Sequence, residues 1–402
     1  MTHEHLGVAI DIGTTTVALH LTDLKTDTRL ATISCVNAQV PYGADVTSRI
    51  KYCKINGHDK LTGLIREQIS SMIKEACLQA GVKSENVNYI SIAANTIMQH
   101  LVAGYSPVNM GVAPFTPISL FGEELPVWDG LPVINNILVY YPPAISAYVG
   151  GDITAGLLAA GFEDISEPAI FLDIGTNGEI VLKHKDTYYC CATAAGPAFE
   201  GAEIEMGMAA ENGAIDHVWQ KNTTEPFPRV SVIGGETPKG ICGSGLLDAL
   251  AVMLDIGVVD ETGRLLNKDK FHLTQENNIF ITAEDVRKLQ LAKAAIAAGI
   301  QVLLHFAGIT EADVKLLALA GGFGSYMDLN SAARIGLFPR SLLPVAKAYG
   351  NTAGEGAALA LSSEKARTQL QKIKKHCEYI ELSTMTFFND KFIEQMTFEE
   401  KN

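Results

Sequence analysis

The tetrapeptide Asp-Ile-Gly-Thr occurs twice in this chain of 402 residues, at positions 11–14 and again at positions 173–176. Each copy ends a short apolar run, GVAI in the first case and AIFL in the second, and each leads through a turn into another β-rich run. The copies lie 162 residues apart, which is far too long for a solenoid repeat and suits two duplicated domains. The repeat therefore predicts an α/β protein with two similar lobes.

The remaining pattern predicts further strands and helices. The first 36 residues are typical of a three-stranded meander, and the strand at the end of DVKLLALA runs into a glycine-rich turn. Proline- and glycine-rich sequence near 107–143 predicts an irregular insertion. Thr282 and Asp285 form a candidate capping box. Helices are predicted at 61–81, 144–161, 244–257, 283–307 and 355–363.

These elements divide the chain into three parts. We expect a first lobe at 1–165, a second lobe at 166–363 and a charged, weakly ordered C-terminal tail at 364–402.

Composition excludes several classes of protein. The 31 Lys and Arg residues against 45 Asp and Glu residues give a formal net charge of −14, so we expect no nucleic-acid partner, because affinity for a phosphate backbone comes from basic patches. The start MTHEHLGVAIDIGTTT has no signal-peptide pattern, and the most apolar helical stretch, 294–307, is too short for a bilayer, so we expect no membrane partner. The seven cysteines are scattered without C-x-x-C spacing, which favours a reduced, cytoplasmic protein.

Both Asp-Ile-Gly-Thr turns have the chemistry of a phosphate-binding loop. A strand that ends in aspartate projects a carboxylate, and the glycine after it lets backbone N–H groups and threonine hydroxyls donate to phosphate oxygens. Asp11 and Asp173 are therefore candidate catalytic residues and candidate Mg²⁺ ligands, through metal-bound water, beside a triphosphate. One such turn alone is more often an ordinary β-turn, but two matching copies favour phosphate binding. The predicted phosphate contacts are Gly13, Thr14, Thr15, Thr16, Gly175, Thr176 and Asn177.

A glycine-rich segment late in the chain is the candidate site for the base of a nucleotide. A strand that runs into Gly-Gly-x-Gly exposes backbone on which adenine or ribose can lie, although the same segment can be a plain bend. The residues concerned are Gly321, Gly322, Phe323 and Gly324. GICGSG at 240–245 is a second such turn and is more ambiguous.

Six single residues are candidates for function whose roles the sequence leaves open. Asp152, which follows two glycines, is the third candidate catalytic residue, for positioning water or metal. Glu200 and the two glutamates after it either meet a ribose or are solvated. Cys190 and Cys191 are neighbours on a predicted strand and so point to opposite faces, which favours buried structural cysteines over a redox pair.

Together these segments resemble the actin, sugar-kinase and heat-shock-chaperone ATPase superfamily over nearly the whole chain. The resemblance implies two ribonuclease-H-like (actin-like ATPase) lobes with a nucleotide cleft between them. It implies that ATP and Mg²⁺ bind between a first phosphate loop at 11–16, a second at 173–177 and an adenosine loop at 321–324. It also implies hinge-crossing helices at 144–161 and 351–361.

A narrower resemblance is carried by longer strings, among them AIDIGTTTVALHL, NAQVPYGADVTSRI, ANTIMQHLVAG, LDIGTNGEIVL, TAAGPAFEGA and ALAGGFG. These are similar to the ATPase portion of the reductive activators of corrinoid proteins, over about residues 7–398. The resemblance implies an ATP hydrolase that helps to return the inactive Co(II) corrinoid of a methyltransferase system to Co(I), with that corrinoid protein as its partner.

One departure concerns the iron–sulfur cluster that members of this family usually carry. No cysteine set in the chain has the close spacing of [2Fe–2S] or [4Fe–4S] ligands, and there is no D-x-H-x-x-G string of a cobalamin-binding protein. We therefore expect no iron–sulfur cluster in this chain and electrons from a separate low-potential donor. A homodimer is left open as its assembly.

Two other functions stay open. A small-molecule kinase of the same superfamily would need a general base, for which Asp152 is the candidate, and an acceptor pocket that the sequence does not identify. A nucleotide-dependent binding switch would sense the state of a corrinoid protein without reducing it, and the missing cluster favours this function more than the resemblance alone does.

Overall fold

The computed structural model describes residues 5–134, 137–220, 226–266, 269–275, 278–324 and 326–398. The strands are β1 Leu6–Ile12, β2 Thr16–Asp23, β3 Thr28–Val36, β4 Val87–Ala94, β5 Glu123–Pro126, β6 Leu138–Tyr141, β7 Ala169–Ile174, β8 Gly178–His184, β9 Thr187–Thr193, β10 Ala214–Trp219, β11 Arg229–Val232, β12 Gly240–Ile241, β13 Lys270–His272, β14 Phe280–Thr282, β15 Leu316–Ala320, β16 Ala346–Gly350 and β17 Cys377–Tyr379. The α-helices are α1 Val46–Asn56, α2 Asp59–Ala80, α3 Thr96–Ala103, α4 Gly151–Ala159, α5 Gly243–Asp255, α6 Ala283–Ala307, α7 Gly321–Gly324, α8 Leu329–Arg334, α9 Thr352–Leu359, α10 Glu364–His376 and α11 Thr386–Glu394.

The chain forms two compact units. Unit 1 comprises Met1–Ser166, Asp186–Tyr188 and Asn351–Tyr379, and unit 2 comprises Glu167–Lys185, Tyr189–Gly350 and Ile380–Asn402.

A mixed sheet with the strand order β3-β2-β1-β4-β6-β5 lies at the centre of unit 1. β1, β2 and β3 are antiparallel neighbours, which confirms the predicted meander. β4 runs parallel to β1 and β6 runs parallel to β4, while β5 returns antiparallel along β6. Parallel neighbours need crossover connections, and here α1 and α2 precede β4 while α3 follows it.

β1 sorts its side chains by size onto the two faces of this sheet. The even-numbered residues from Leu6 to Ile12 are buried in a cluster with apolar residues of α1, α2 and α3. Ala9 lies in a different cluster, with Ala357 of α9. Since alternate residues of a strand point to opposite faces, Asp11 lies on the same small-residue face as Ala9.

Unit 2 repeats this arrangement. The order β9-β8-β7-β15-β16 corresponds to β3-β2-β1-β4-β6, with β7 antiparallel to β8 and parallel to β15, and β15 parallel to β16. β7 alternates as β1 does: Ile170, Leu172 and Ile174 join the main core of unit 2, which includes residues of α5 and α6, and Asp173 lies on the other face. The two-lobed α/β fold that the repeated turns predict is therefore present.

The division of the chain corrects the predicted boundaries, which put 166–363 in a second lobe and 364–402 in a tail. α9 belongs to unit 1, because its alanines pack with those of β1 and β4. α10 also belongs to unit 1, where Gln371 Nε2 donates to the carbonyl oxygen of Gly122 (2.6 Å). The residues around α11 belong to unit 2, whose core includes Phe398.

Three local predictions are also corrected. The segment 107–143 contains β5 and β6, which extend the sheet of unit 1. The helix expected at 144–161 begins only at Gly151, because the backbone of Gly150 is extended (φ −94°, ψ −171°). The glycine-rich segment 321–324 is a single helical turn, α7, rather than a bend.

α6 has the predicted capping box. Thr282 Oγ1 accepts from Asp285 N (3.1 Å), and Asp285 Oδ2 accepts from Thr282 N (2.9 Å). α6 is 25 residues long, and it is the one helix in the described part of the chain that is long and apolar enough to cross a membrane by length and composition. Within its most apolar 18-residue window, 78% is buried inside the protein, as in a core helix.

We expect Gly356→Ala to lower the free energy of unfolding by about 1–3 kcal/mol, the usual cost of overpacking. A Cβ at Gly356 of α9 would lie 2.0 Å from the carbonyl oxygen of Ala155 in α4, so the two helices would have to separate. The matched control is Gly63→Ala in α2, where an added Cβ meets nothing within 4 Å; helix propensity makes that change stabilising by up to ~1 kcal/mol. Urea unfolding measures both variants. Equal stability of the two would contradict this close crossing.

Candidate functional site

Asp11, the first candidate carboxylate, lies at the end of β1 beside the N-terminus of α9. The side chain of Asn351 donates a hydrogen bond to it, and Asn351 Oδ1 caps α9 by accepting from Gly354 N (2.9 Å). Burial raises the pKa of Asp11 to about 6, and the hydrogen bond from Asn351 opposes this rise. A nearby cation would favour the charged form of such a carboxylate, so Asp11 suits a position that faces a metal ion.

The turn that follows Asp11 is closed by its own backbone. Gly13 N donates to Thr16 O (2.9 Å), and a Cβ at Gly13 would lie 2.8 Å from that same oxygen. Only glycine fits such a close approach. Within this turn Thr14 is buried and Thr16 is exposed.

Side chains from a later loop and from α1 hold this turn from behind. Asn37 Nδ2 donates to Gly13 O (2.9 Å), and Arg49 Nη2 donates to Thr14 O. Both side chains belong to fully buried residues. The turn is therefore fixed by side chains as well as by its own backbone.

Asp152 reaches the same end of the unit 1 sheet as Asp11. Asn95, which follows β4, donates from Nδ2 to Thr14 Oγ1 (3.3 Å), and β4 pairs with β1 up to its last residues. Gly150 packs directly on this position, since a Cβ there would lie 2.5 Å from Asn95 Cα. Asp152 follows in the first turn of α4, half-buried.

In unit 2 the second predicted phosphate turn lies against the predicted adenosine loop. Asp173, near the end of β7, pairs with Ala320 at the end of β15, and Gly321 comes next with φ +84°. A Cβ at Gly321 would lie 2.4 Å from Asp173 Oδ1. The turn itself is closed by Gly175 N, which donates to Asn177 O (3.0 Å).

Glu200 contacts this second turn. Thr176 Oγ1 donates to Glu200 Oε1 (3.0 Å), and a Cβ at Gly175 would lie 3.4 Å from the same oxygen. Glu200 is therefore not merely solvated, and the structure does not show a ribose contact for it. Its carboxylate instead restrains a threonine that is predicted to bind phosphate.

Two aromatic rings and a glycine pack together beside α7. The ring of Phe323 stacks on that of Phe199, with centroids 5.4 Å apart and an interplanar angle of 20°. Gly243 begins α5 against both of them, since its Cβ would lie 1.8 Å from Phe199 O and 2.8 Å from the Phe323 ring. The ambiguous GICGSG segment is thus part of this region. Gly322 differs, because an added Cβ there meets nothing within 4 Å.

The residues present in each unit fit part of a magnesium nucleotide. Asp11 in unit 1 and Asp173 in unit 2 each supply a hard carboxylate, the kind of ligand that Mg²⁺ takes together with water and substrate phosphates. The open space over Gly322 leaves backbone that a flat group can approach. Across the residues that the structure describes, no group of three or more His, Cys, Asp or Glu side chains could hold a metal ion by itself.

Cys190 and Cys191 are both buried, as the structural interpretation predicts. Burial raises the pKa of the Cys191 thiol, which disfavours the reactive thiolate.

Several residues that position the two turns were not predicted: Asn37, Gln39, Arg49, Asn95, Phe199 and Asn351. The only available signal was that three of them lie in the string NAQVPYGADVTSRI, where polar residues follow neither a helical nor a strand period. A polar side chain in such a segment is ordinarily taken to be solvated.

The fold and the two half-sites define a class of protein. Two units with the same strand order, each with an aspartate near the end of its first strand and a glycine turn after it, are the actin-like ATPase, or ASKHA, architecture. The family comparison is narrower: the C-terminal domain of RACo, described as its ASKHA domain, matches residues 167–402, and the RACo middle region matches residues 6–165. The chain belongs to the RACo family, the reductive activators of corrinoid proteins.

Individual relatives agree with this assignment. The chain is 34% identical to the corrinoid activation enzyme RamQ of Eubacterium limosum, over 96% of this chain and 69% of that protein. It is 26% identical to the [Co(II) methylated amine-specific corrinoid protein] reductase of Methanosarcina barkeri, over 98% of this chain and 77% of that protein. A solved structure of a reductive activator for a corrinoid, iron–sulfur protein superposes with a TM-score of 0.89 at 35% identity, over 100% of this chain and 67% of that one.

We expect Gly321→Ala to destabilise the protein and Gly322→Ala to leave its stability unchanged. At Gly321 the positive φ costs an alanine about 1–2 kcal/mol, and the new Cβ would displace the Asp173 carboxylate. At the neighbouring Gly322 the Cβ enters open space. Thermal unfolding of the two variants measures the contrast, and similar melting temperatures would show that Asp173 does not lie against Gly321.

Proposed function

We propose that this chain is an ATP hydrolase that binds Mg²⁺–ATP and supports the reductive reactivation of a Co(II) corrinoid protein of a methyltransferase system. Membership of the RACo family carries the corrinoid part of the proposal, because the curated relatives are named as a corrinoid activation enzyme and a Co(II) corrinoid protein reductase. The two Asp-Ile-Gly-Thr turns support the nucleotide part of the proposal.

Each turn has a distinct task in this proposal. Asp11 and Asp173 would hold Mg²⁺ through water, and the backbone and threonines of both turns would bind the phosphates. When bound there, Mg²⁺ would supply positive charge that offsets the charge developing on the phosphates during phosphoryl transfer. Asp152 would position the attacking water. The backbone at Gly322, open to solvent, would lie against the adenine.

ATP would act through the conformation of the protein rather than as a source of electrons. For one electron, about 59 mV corresponds to roughly 1.4 kcal/mol, so an allosteric coupling of about 1–3 kcal/mol moves a potential by only ~40–130 mV. A remodelled cobalt coordination, such as the loss of an axial ligand, would make Co(II) easier to reduce. A nucleotide that favours one conformation would let the protein grip and then release its partner.

A separate low-potential donor supplies the electrons in this proposal. The seven cysteines lack the spacing of cluster ligands, and five of them are buried. None of the proposed nucleotide contacts is a one-electron carrier.

We expect Asp173→Asn to lower the rate of ATP hydrolysis at least tenfold, because the loss of a charge beside the metal weakens the electrostatic stabilisation of the phosphoryl group. The matched control is Asp269→Asn, which removes a carboxylate from an exposed position in the same unit. Phosphate release in the presence of Mg²⁺ measures both. Turnover that is unchanged in Asp173→Asn would remove the second turn from the site.

We further expect the Co(II)-to-Co(I) spectral change of a corrinoid protein to require both ATP and an external reductant in the presence of this chain. Omitting ATP should greatly reduce the yield, since the coordination change would then not occur. The assay is run against a panel of corrinoid proteins, with Asp173→Asn as the inactive control.

Three results would contradict this expectation. A yield independent of ATP with every corrinoid protein would favour a binding switch that does not assist reduction. A small molecule that becomes phosphorylated from ATP would favour a kinase. Reduction without an added donor would show a redox centre in the chain.

A further inference from the structure

Arg49 of α1 is a fully buried arginine whose guanidinium bonds only to neutral groups. Nε donates to Gly43 O (2.9 Å), Nη1 donates to Gln39 Oε1 and to Met98 Sδ (both 3.0 Å), and Nη2 donates to Thr14 O in the first predicted phosphate turn. Among the described residues, no carboxylate lies within the 4.0 Å of an ion pair with it.

A buried charge without a counter-charge is costly, because it loses its hydration without a compensating ion pair. Burial lowers the pKa of Arg49 to about 10, while the more distant Asp45 opposes this shift, so the group stays protonated at neutral pH. A chain that needed only to fix two segments could use a neutral side chain here. An anion bound on the far side of the turn would offset part of this cost.

Arg49 belongs to a network of hydrogen bonds that surrounds the turn. Asn37 Nδ2 donates to Gly13 O (2.9 Å), Asn37 Oδ1 accepts from Gln39 N (2.9 Å), and Gln39 in turn accepts from Arg49. Asn37, Gln39 and Arg49 are all fully buried. Two successive carbonyls of the turn, those of Gly13 and Thr14, are thus drawn toward the interior.

Peptide geometry converts this pull into a direction for the amides. In a trans peptide the C=O and the following N–H point in opposite directions. With the carbonyls of Gly13 and Thr14 turned toward Asn37 and Arg49, the N–H groups of Thr14 and Thr15 point away from them. Amides aimed in this way from a turn form an anion-binding concavity.

We infer that Arg49, with Asn37 and Gln39, is a positioning residue for the polyphosphate of the nucleotide. It holds the first turn with its amides outward and places a positive charge behind them, so its contribution grows with the number of phosphates. This inference rests on the proposed function. It goes beyond it by assigning the preference for a triphosphate over a nucleoside to a residue that does not touch the nucleotide.

A purely structural arginine makes a different prediction. If Arg49 only connects α1 to its neighbouring loop, its removal should lower the affinities for adenosine, ADP and ATP by the same factor. A ligand series therefore separates the two roles.

The experiment measures adenosine, ADP and Mg²⁺–ATP affinities by calorimetry for the wild type, Arg49→Met and Arg49→Lys. We expect Arg49→Met to lower the affinity for ATP at least tenfold and the affinity for adenosine less than twofold. The loss of affinity for ADP should lie between these two. Arg49→Lys should recover part of the ATP affinity, because lysine keeps the charge but not the planar fork of donors. Equal losses for all three ligands, or no loss of ATP affinity, would overturn the inference.

Gln39→Glu separates charge from geometry. It has nearly the same shape as Gln39 and supplies Arg49 with the counter-charge that it lacks, although it gives up the bond from Gln39 Nε2 to Leu61 O (3.0 Å). We expect Gln39→Glu to lower the affinity for ATP but not for adenosine, and to lower it less than Arg49→Met does. An unchanged ratio of ATP to adenosine affinity would rule out the charge contribution.

Arg66→Met is the matched control. Arg66 is half-buried in the same unit, donates to Val102 O (2.9 Å) and lies over the Trp128 ring, away from the turn. Its loss should leave the ATP-to-adenosine ratio unchanged. If Arg49→Met does not fold, Arg49→Lys and Gln39→Glu still decide the question. A wild type that binds no ATP would instead contradict the proposed function itself.

Discussion

The close approach of α9 to the sheet of unit 1 is the constraint on which the first half-site depends. Ala9, Ala93 and Ala357 pack together at this face, and larger side chains there would push the helix outward. Because α9 lies so near, its N-cap residue Asn351 reaches the carboxylate of Asp11. Small residues on one face of β1 and large ones on the other therefore serve both stability and the placement of a buried acid.

Much of the architecture could be predicted from local pattern. The two Asp-Ile-Gly-Thr turns end strands whose side chains alternate between the two faces of a sheet. Neighbouring residues such as Ala9 and Ile10, one small and one large, show this alternation in the sequence. The capping box at Thr282 is equally local, since it needs only two residues three apart. Signals of this kind survive without knowledge of the fold, and the duplicated sheets follow from them.

What could not be predicted depends on contacts between distant segments. The spacing of Leu370 and Ile373 shows that α10 buries one face, but not that the face belongs to unit 1. The strand β6 lies between prolines and is short, so its place beside β4 is decided only by pairing. Arg49 is the clearest case, because its one local signal, an irregular polar segment, does not distinguish a buried guanidinium from a solvated one.

The two half-sites are built from duplicated folds but are held by different forces. The first turn is held by hydrogen bonds from buried polar side chains, Asn37 and Arg49 among them, which fix the direction of each peptide. The region around the second turn is held by close packing at Gly243 and Gly321 and by the stacked rings of Phe199 and Phe323. Hydrogen bonds are directional, and aromatic pairs prefer offset-stacked or edge-to-face arrangements. The first turn therefore depends on the direction of its hydrogen bonds, and the region around the second turn depends on glycines that admit the neighbouring backbone and side chains.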